Sequence, residues 1–314
     1  MATSTTSVAS RGSMAEWSVT IRKVVRRPQF WFGLAVLVPT FVWYALFAYF
    51  PILRGLWLAF FNYDFLSRHA GGFIGLANFQ RLLLNPLLFI SLRNTLVLAG
   101  LQFVVLLPLA LLIATCLTNV RYGRGLYQGI IFLPVVVSLV AIALLFLMLM
   151  DPQTGTFNNI LTTLGLPTSQ WLSSSNSALP VLAGIDVWKG LGFYVLLLTA
   201  GMMNIPNDLH DAAKVDGATS WQHFWSVTFP LLGNTLVLVL VLLAIGTLQE
   251  YTSVAVLTTG GPDNATYVLN LLIVQEAFNN MRFGTAAAAS VIEFALVFII
   301  SIAQLKLFRP NWSY

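Results

Sequence analysis

The chain has 314 residues, of which 58% are apolar and 9% charged, where an ordinary soluble domain is roughly 25% charged. With a mean hydropathy of +0.81 and apolar runs of the length a helix needs to cross a bilayer, this excludes a water-soluble globule. Sixteen Lys and Arg against eleven Asp and Glu give a net charge of +5, but no basic stripe with interleaved aromatics accompanies them. The excess therefore reads as membrane topology and nucleic acid is not an expected partner.

Residues 1–18 are rich in Ser, Thr and Ala and lack the apolar core of a cleaved signal peptide. Residues 1–29 are accordingly expected to form a cytoplasmic tail, with 30–308 as the membrane domain and 309–314 as a second tail. Six runs are long enough to span: 30–50, 95–117, 125–150, 179–203, 231–257 and 285–308. Arg22, Lys23, Arg26 and Arg27 precede the first of them, so the positive-inside rule puts the N-terminus in the cytoplasm and six crossings return the C-terminus there. Ten of the sixteen cations then fall inside, Arg54, Arg68, Arg81, Arg93 and Arg282 fall outside, and Lys189 lies at membrane depth. Trp31, Trp43, Trp57, Trp171 and Trp312 sit near run ends, as an aromatic belt requires.

The single cysteine, Cys116, allows no intrachain disulfide, and no Cys/His metal spacing exists. No Gly-rich phosphate loop ending in Lys-Ser or Lys-Thr is present. No cofactor is expected on this chain, and an enzyme reading has no residues to rest on.

Between the fourth and fifth runs, residues 205–230 do not belong in a membrane: four charges fall within nine residues, from Asp208 to Asp216. Pro206 suits a first helical turn, Asn207 and Asp208 offer capping oxygens, and Asp211, Ala212, Ala213 and Lys214 continue a short helix. Asp216-Gly217 punctuates it. Thr219 with Gln222 is a capping-box pattern for a second helix, expected to stop before Pro230. Small residues at Ala212, Ala213, Gly217 and Ala218 let a partner's backbone approach closely. Two readings stay open on these residues, a docking elbow and an amphipathic loop anchored on headgroups by Trp221, Phe224 and Trp225.

The segment resembles the coupling-helix signature, or EAA loop, of type I ABC importer permeases: Glu-Ala-Ala, Asp-Gly-Ala, then Phe, Ile and Leu-Pro. Here these are Asp211-Ala212-Ala213, Asp216-Gly217-Ala218, Phe224, Val227 and Phe229-Pro230. The likeness extends over about residues 30–308. Asn78-Phe79, Asn94-Thr95, Phe132-Leu133-Pro134, Gly155 with Asn158, Trp171-Leu172, Trp188-Lys189, Thr259-Gly260-Gly261-Pro262 and Phe283-Gly284 are similar to the maltose-type carbohydrate permeases. The Gly-Gly-Pro points to the first permease of a heterodimeric pair.

The resemblance implies an all-α membrane protein with six transmembrane helices and cytoplasmic coupling helices, in a bacterial or archaeal inner membrane. It implies a second sugar permease subunit, an ATP-binding-cassette ATPase dimer that holds the ATP and magnesium, and an extracytoplasmic sugar-binding protein. Asp211 would then meet the ATPase, and Gly217 would allow the bend between the coupling helices.

Polar groups at membrane depth are functional candidates by default. Asp186, Lys189, Gly190 and Phe193 share one helical face of the fourth run; Leu243, Gly246, Thr247 and Glu250 share one face of the fifth. Laid on the maltose-permease pattern without a gap from Asp186 to Pro262, the family's sugar-contacting positions fall on seven of these, Lys189 being added for its place on the same face. Phe193 stands for a tyrosine, Thr247 and Glu250 for asparagines, Gly246 for a phenylalanine and Leu243 for a serine, so the ligand need not be maltose. Carboxylates accept hydrogen bonds from sugar hydroxyls, and an aromatic covers a sugar's C–H face. Plain roles compete: Asp186 and Lys189 neutralising one another, Gly190 and Gly246 as close-packing positions, Phe193 as packing. Glu276, Asn279 and Asn280 are expected in an outer aqueous vestibule, and Glu293 either bonds a neighbouring helix or lines the path.

Two acids against one cation argue against an anionic solute, which would favour Arg or Lys forks. A neutral or amino-bearing sugar fits better. Other readings are an ion-coupled secondary carrier using Asp186, Glu250 or Glu293, which broken helices and inverted repeats would favour, and a membrane scaffold, which leaves the buried acids unexplained.

Overall fold

The computed structural model describes residues 28–63, 70–120 and 122–308. The cation cluster at 22–27, Arg68, Arg121, Arg309 and Trp312 lie outside them. The chain divides into two units, Met1–Trp57 and Leu58–Tyr314.

The described residues of the first unit, 28–57, all lie in one helix, Pro28–Leu58, longer than the predicted 30–50. Its irregularity follows from Pro51, which has no N–H for the carbonyl four residues back; the helix takes a π turn over Ala45–Tyr49 and continues. Trp43 therefore lies within the helix and not at its end.

The second unit carries the spans Pro86–Thr118, Ala178–Met203, Gly233–Leu257 and Phe283–Leu307. The second span begins nine residues before the predicted 95, because Asn85 caps it by accepting from the Leu87 N–H at 3.0 Å and Pro86 fits its first position. The third is not the single span expected over 125–150: Arg124–Val136 and Leu139–Leu149 meet at 87°. Extended backbone at Val137 and Ser138 makes the bend, so a broken helix is present. The fifth is interrupted as well, Gly233–Leu248 giving way to the short helix Thr252–Leu257.

The second span packs along the fourth, the first half of the third also lies on the fourth, and Thr252–Leu257 packs against Leu139–Leu149. Association in lipid relies on close packing, and Gly192 supplies it: a Cβ there would sit 2.3 Å from the Ile131 carbonyl oxygen. Two buried clusters result. One gathers Leu98, Ile142, Leu182 and Ile185 with Leu269 and Ala288. The other gathers Leu106, Ala114, Val187, Leu198 and Val239. Ile185 belongs to the first and Val187 to the second, which places Asp186 where the two cores meet.

Several residues that carry the family resemblance clasp loops. Asn78 donates to the carbonyls of Ala59 at 2.9 Å and Phe61 at 3.0 Å, beneath a small antiparallel hairpin of Phe61–Tyr63 and Ala70–Phe73. Asn94 donates to the Asn264 carbonyl at 2.8 Å, and the Thr95 hydroxyl accepts from the Leu269 N–H at 2.9 Å. Asn158 donates to the carbonyls of Pro152 and Ser169 and accepts from the Trp171 indole at 2.8 Å. Burying such amides is tolerable only with their partners made.

Candidate functional site

Seven of the eight predicted membrane-depth residues line one cavity of about 220 Å³: Asp186, Lys189, Gly190, Leu243, Gly246, Thr247 and Glu250. Phe193 does not. It is 39% exposed and stands edge-on to Tyr194 at 5.3 Å, and Tyr194 is the aromatic that lines the cavity. Gln102 and Leu106 of the second span, and Val135 and Leu139 on either side of the break in the third, complete the wall. Gln102 was legible as a lone amide in an apolar stretch.

Asp186 is tied to two elements besides its own. Its Oδ2 accepts from Gln102 Nε2 at 3.1 Å and from Ser253 Oγ at 3.0 Å. No ion pair joins it to Lys189 among the described residues, where the ion pairs are Lys214–Asp211 and Arg282–Glu276. Lys189 instead donates to the Val135 carbonyl at 3.4 Å, beside the broken helix. Asp186 and Lys189 thus share a cavity without a direct ion pair.

Glu250 lies in the interruption of the fifth span, where one of its oxygens accepts from the backbone N–H groups of Tyr251 and Ser253, both at 3.1 Å. That oxygen caps the short helix that follows. Gly190 and Gly246 are not close-packing positions. A Cβ at Gly190 would meet only Leu106 and Tyr194 at 3.8 Å, and one at Gly246 only the Tyr194 hydroxyl at 3.7 Å. They leave room. Thr247 donates to the Ala244 carbonyl at 3.3 Å.

Two outlying acids depart from expectation. Glu276 is buried, accepts from Asn280 at 3.0 Å and so does not stand in an open vestibule. Glu293 is 7% exposed, has an oxygen without a hydrogen-bond partner and is not among the residues lining the cavity.

The 205–230 loop folds as two helices about an elbow. Asn207–Val215 starts at Pro206 with no side-chain cap, so Asn207 and Asp208 do not serve as expected. It ends in a Schellman motif: Ala218 N–H donates to the Ala213 carbonyl at 3.0 Å, Gly217 N–H to that of Lys214 at 3.1 Å, and Gly217 has φ +73°. Only glycine takes that conformation freely. Thr219 and Gln222 form the capping box that starts the second helix, Ser220–His223. That helix does not stop before Pro230. A π turn over Phe224–Thr228 lets it run on through Phe229–Leu231, the solution seen at Pro51.

Asp211, Ala212, Asp216 and Gly217 are exposed, Ala218 is half-buried and Ala213 is buried. The Asp211 carboxylate meets Lys214 at 2.8 Å, and that hydrogen bond holds its pKa below the usual value. Beside the elbow Trp221 meets Trp225 edge-on and Trp225 meets Phe229 at a tilt, with centroids 5.6 Å and 4.9 Å apart.

The model of the family described as "Binding-protein-dependent transport system inner membrane component" matches residues 106–313. The chain belongs to this family. It is 30% identical to the multiple sugar-binding transport system permease protein of Streptococcus mutans, over 92% of this chain and 98% of that one. It is 31% identical to the trehalose/maltose transport system permease protein of Thermococcus litoralis, over 88% and 93%. A bacterial ABC transporter that imports the acidic polysaccharide alginate superposes with a TM-score of 0.80 at 26% identity, covering 95% of this chain and 99% of that one; a bacterial alginate ABC transporter in complex with an alginate pentasaccharide-bound periplasmic protein superposes with a TM-score of 0.76 at 26% identity. The permease is thus a multi-pass inner membrane subunit with the type I importer fold, working in binding-protein-dependent import. The family membership excludes the ion-coupled carrier reading, although the third span is broken.

Proposed function

We propose that this chain forms half of the translocation path of an ATP-driven sugar importer, with a second sugar permease providing the other half. An extracytoplasmic binding protein delivers the solute. A dimer of ATP-binding-cassette ATPases, holding the ATP and magnesium, docks on the 205–230 elbow through Asp211, Ala212, Ala213, Asp216, Gly217 and Ala218. Both termini and the elbow then lie in the cytoplasm.

The observation that carries the sugar assignment is the convergence of Asp186, Lys189, Thr247 and Glu250 on one 220 Å³ cavity with room left by Gly190 and Gly246. Acids next to an aromatic suit hydroxyls and a C–H face, and no Arg fork is present for a phosphate. A neutral or amino-bearing sugar is the solute.

The test is uptake by the reconstituted complex with its cognate binding protein, screened over mono- and disaccharides. Glu250→Gln keeps an oxygen for the helix cap and removes the charge; the expected result is a raised KM with the complex intact. Unchanged transport kinetics in that variant would overturn the assignment.

A further inference from the structure

A second cavity, of about 620 Å³, is larger than the one at membrane depth. It lies between the elbow and the ends of the second, third and fourth spans. Its wall includes Arg124, Lys214, His210 and His223 and contains no carboxylate. Asp211 holds Lys214 from outside this wall, with both side chains about 70% exposed, so that pair is screened by water.

Arg124 is fixed in place and only partly satisfied. Its Nη2 donates to the carbonyls of Thr118 at 2.8 Å and Val120 at 3.3 Å. Its Nη1 meets the Met203 sulfur at 3.3 Å, a weak acceptor. Its Nε is buried without a hydrogen-bond partner among the described residues. Across the cavity, His210 Nδ1 and His223 Nε2 lie 2.8 Å apart. A hydrogen bond between two imidazoles uses one proton; an anion beside them lets a second one bind. No carboxylate of the described residues faces these donors from within the wall.

We propose that the elbow cavity binds a phosphate-bearing anion, held by Arg124, Lys214 and the His210–His223 pair. Arg124 brings to the wall a guanidinium whose Nη1 has the Met203 sulfur, a weak acceptor, as its partner, so this nitrogen is the one that meets a phosphate oxygen. Three span ends in the wall, at Thr118, Arg124 and Met203, put the cavity at headgroup depth, so the phosphate comes from a lipid headgroup or from solution. Once bound, it ties the elbow to the span ends.

The test uses the assembled transporter in phosphatidylcholine nanodiscs. Inorganic phosphate is titrated against chloride at constant ionic strength, and separate discs carry phosphatidylglycerol without phosphate. Either arm is expected to raise the thermal midpoint of the complex by a few degrees, saturably for phosphate; the responding arm identifies the source. Arg124→Gln and Lys214→Gln are expected to abolish the rise, which separates it from phosphate bound at the ATPases. Lys214 is exposed, so its variant folds even where the Arg124 variant does not. No rise in either arm, or an undiminished rise in Lys214→Gln, overturns the proposal. ATP-driven uptake by the same wild-type preparation reports separately on the transport function.

Discussion

Ser253 donates a 3.0 Å hydrogen bond to Asp186, joining the fourth span to the short helix that follows the interruption in the fifth. The same serine gives its backbone N–H to Glu250 at 3.1 Å. One residue therefore touches both acids of the cavity and sets their spacing. Ser253→Ala should cost about 1 kcal/mol of stability, within the range of side-chain hydrogen bonds in membrane bundles. A fall of a few degrees in thermal midpoint, with a raised KM for the solute, is the expected pair of results. A fall in stability with KM unchanged would mean that Asp186 keeps its position without this bond.

Gly190 and Gly192, two residues apart, should respond oppositely to alanine. At Gly192 the methyl would overlap the Ile131 backbone, 2.3 Å from its carbonyl oxygen and 2.8 Å from the Phe132 Cα. The third and fourth spans must then separate, and overpacking of this kind costs roughly 1–3 kcal/mol or more. At Gly190 the nearest atoms are 3.8 Å away, so Gly190→Ala should assemble normally and narrow the cavity. Yield of the purified complex reads the first effect. Uptake of a disaccharide relative to a monosaccharide reads the second, which should fall in Gly190→Ala.

Much of this site was legible because helical periodicity reports the angle of a side chain about its axis. Asp186, Lys189 and Gly190 are correctly grouped by it, and so are Gly246 and Glu250. It does not report which neighbouring ring takes the space at a given angle. Phe193 has the right angle, but Tyr194 lies within reach of both Gly190 and Gly246 and fills the wall. Nor does hydropathy see a bend inside an apolar run. Residues 125–150 read as one span because a single serine, Ser138, barely lowers the hydropathy of so apolar a run, while the 87° turn rests on backbone angles at Val137 and Ser138. Proline was misjudged in the opposite direction. Pro230 looks like a stop, yet a π turn over Phe224–Thr228, ending two residues before it, absorbs the missing donor, as happens before Pro51. The elbow was the clearest element, since Gly217 and the Thr219–Gln222 box are short-range signals that need no tertiary context.

The elbow should loosen in acid. Burial, then the neighbouring His223 and Lys214, hold the His210 pKa below its ordinary value, with Asp211 opposing them. In the folded state His210 therefore resists the proton that the unfolded segment accepts near about pH 6.5. The stability this contributes is present above that pH and is lost as pH falls through the lower folded value. The hydrogen-exchange protection factors over residues 207–223, taken relative to the intrinsic rate at each pH, should fall between about pH 7.5 and about pH 5.5, and His210→Gln should flatten the dependence. Asp211, with its own pKa lowered, stays charged across this window and does not contribute.

Gly217 is the position at which folding and coupling can be separated. It holds φ +73° with nothing within 4 Å of where a Cβ would stand, so a side chain there meets strain but no clash. Left-handed backbone costs an ordinary residue roughly 1 kcal/mol, and Asn and Asp tolerate it best. Gly217→Asn and Gly217→Asp should therefore both insert and assemble the helical bundle with similar thermal midpoints. They differ in charge on an exposed surface that the proposed ATPase contact must cover. Gly217→Asp is expected to lose ATP-driven uptake, with ATPase activity no longer stimulated by the solute-loaded binding protein, while Gly217→Asn retains a measurable part of both. Full uptake in the aspartate variant would remove the elbow from the path by which ATP hydrolysis drives transport.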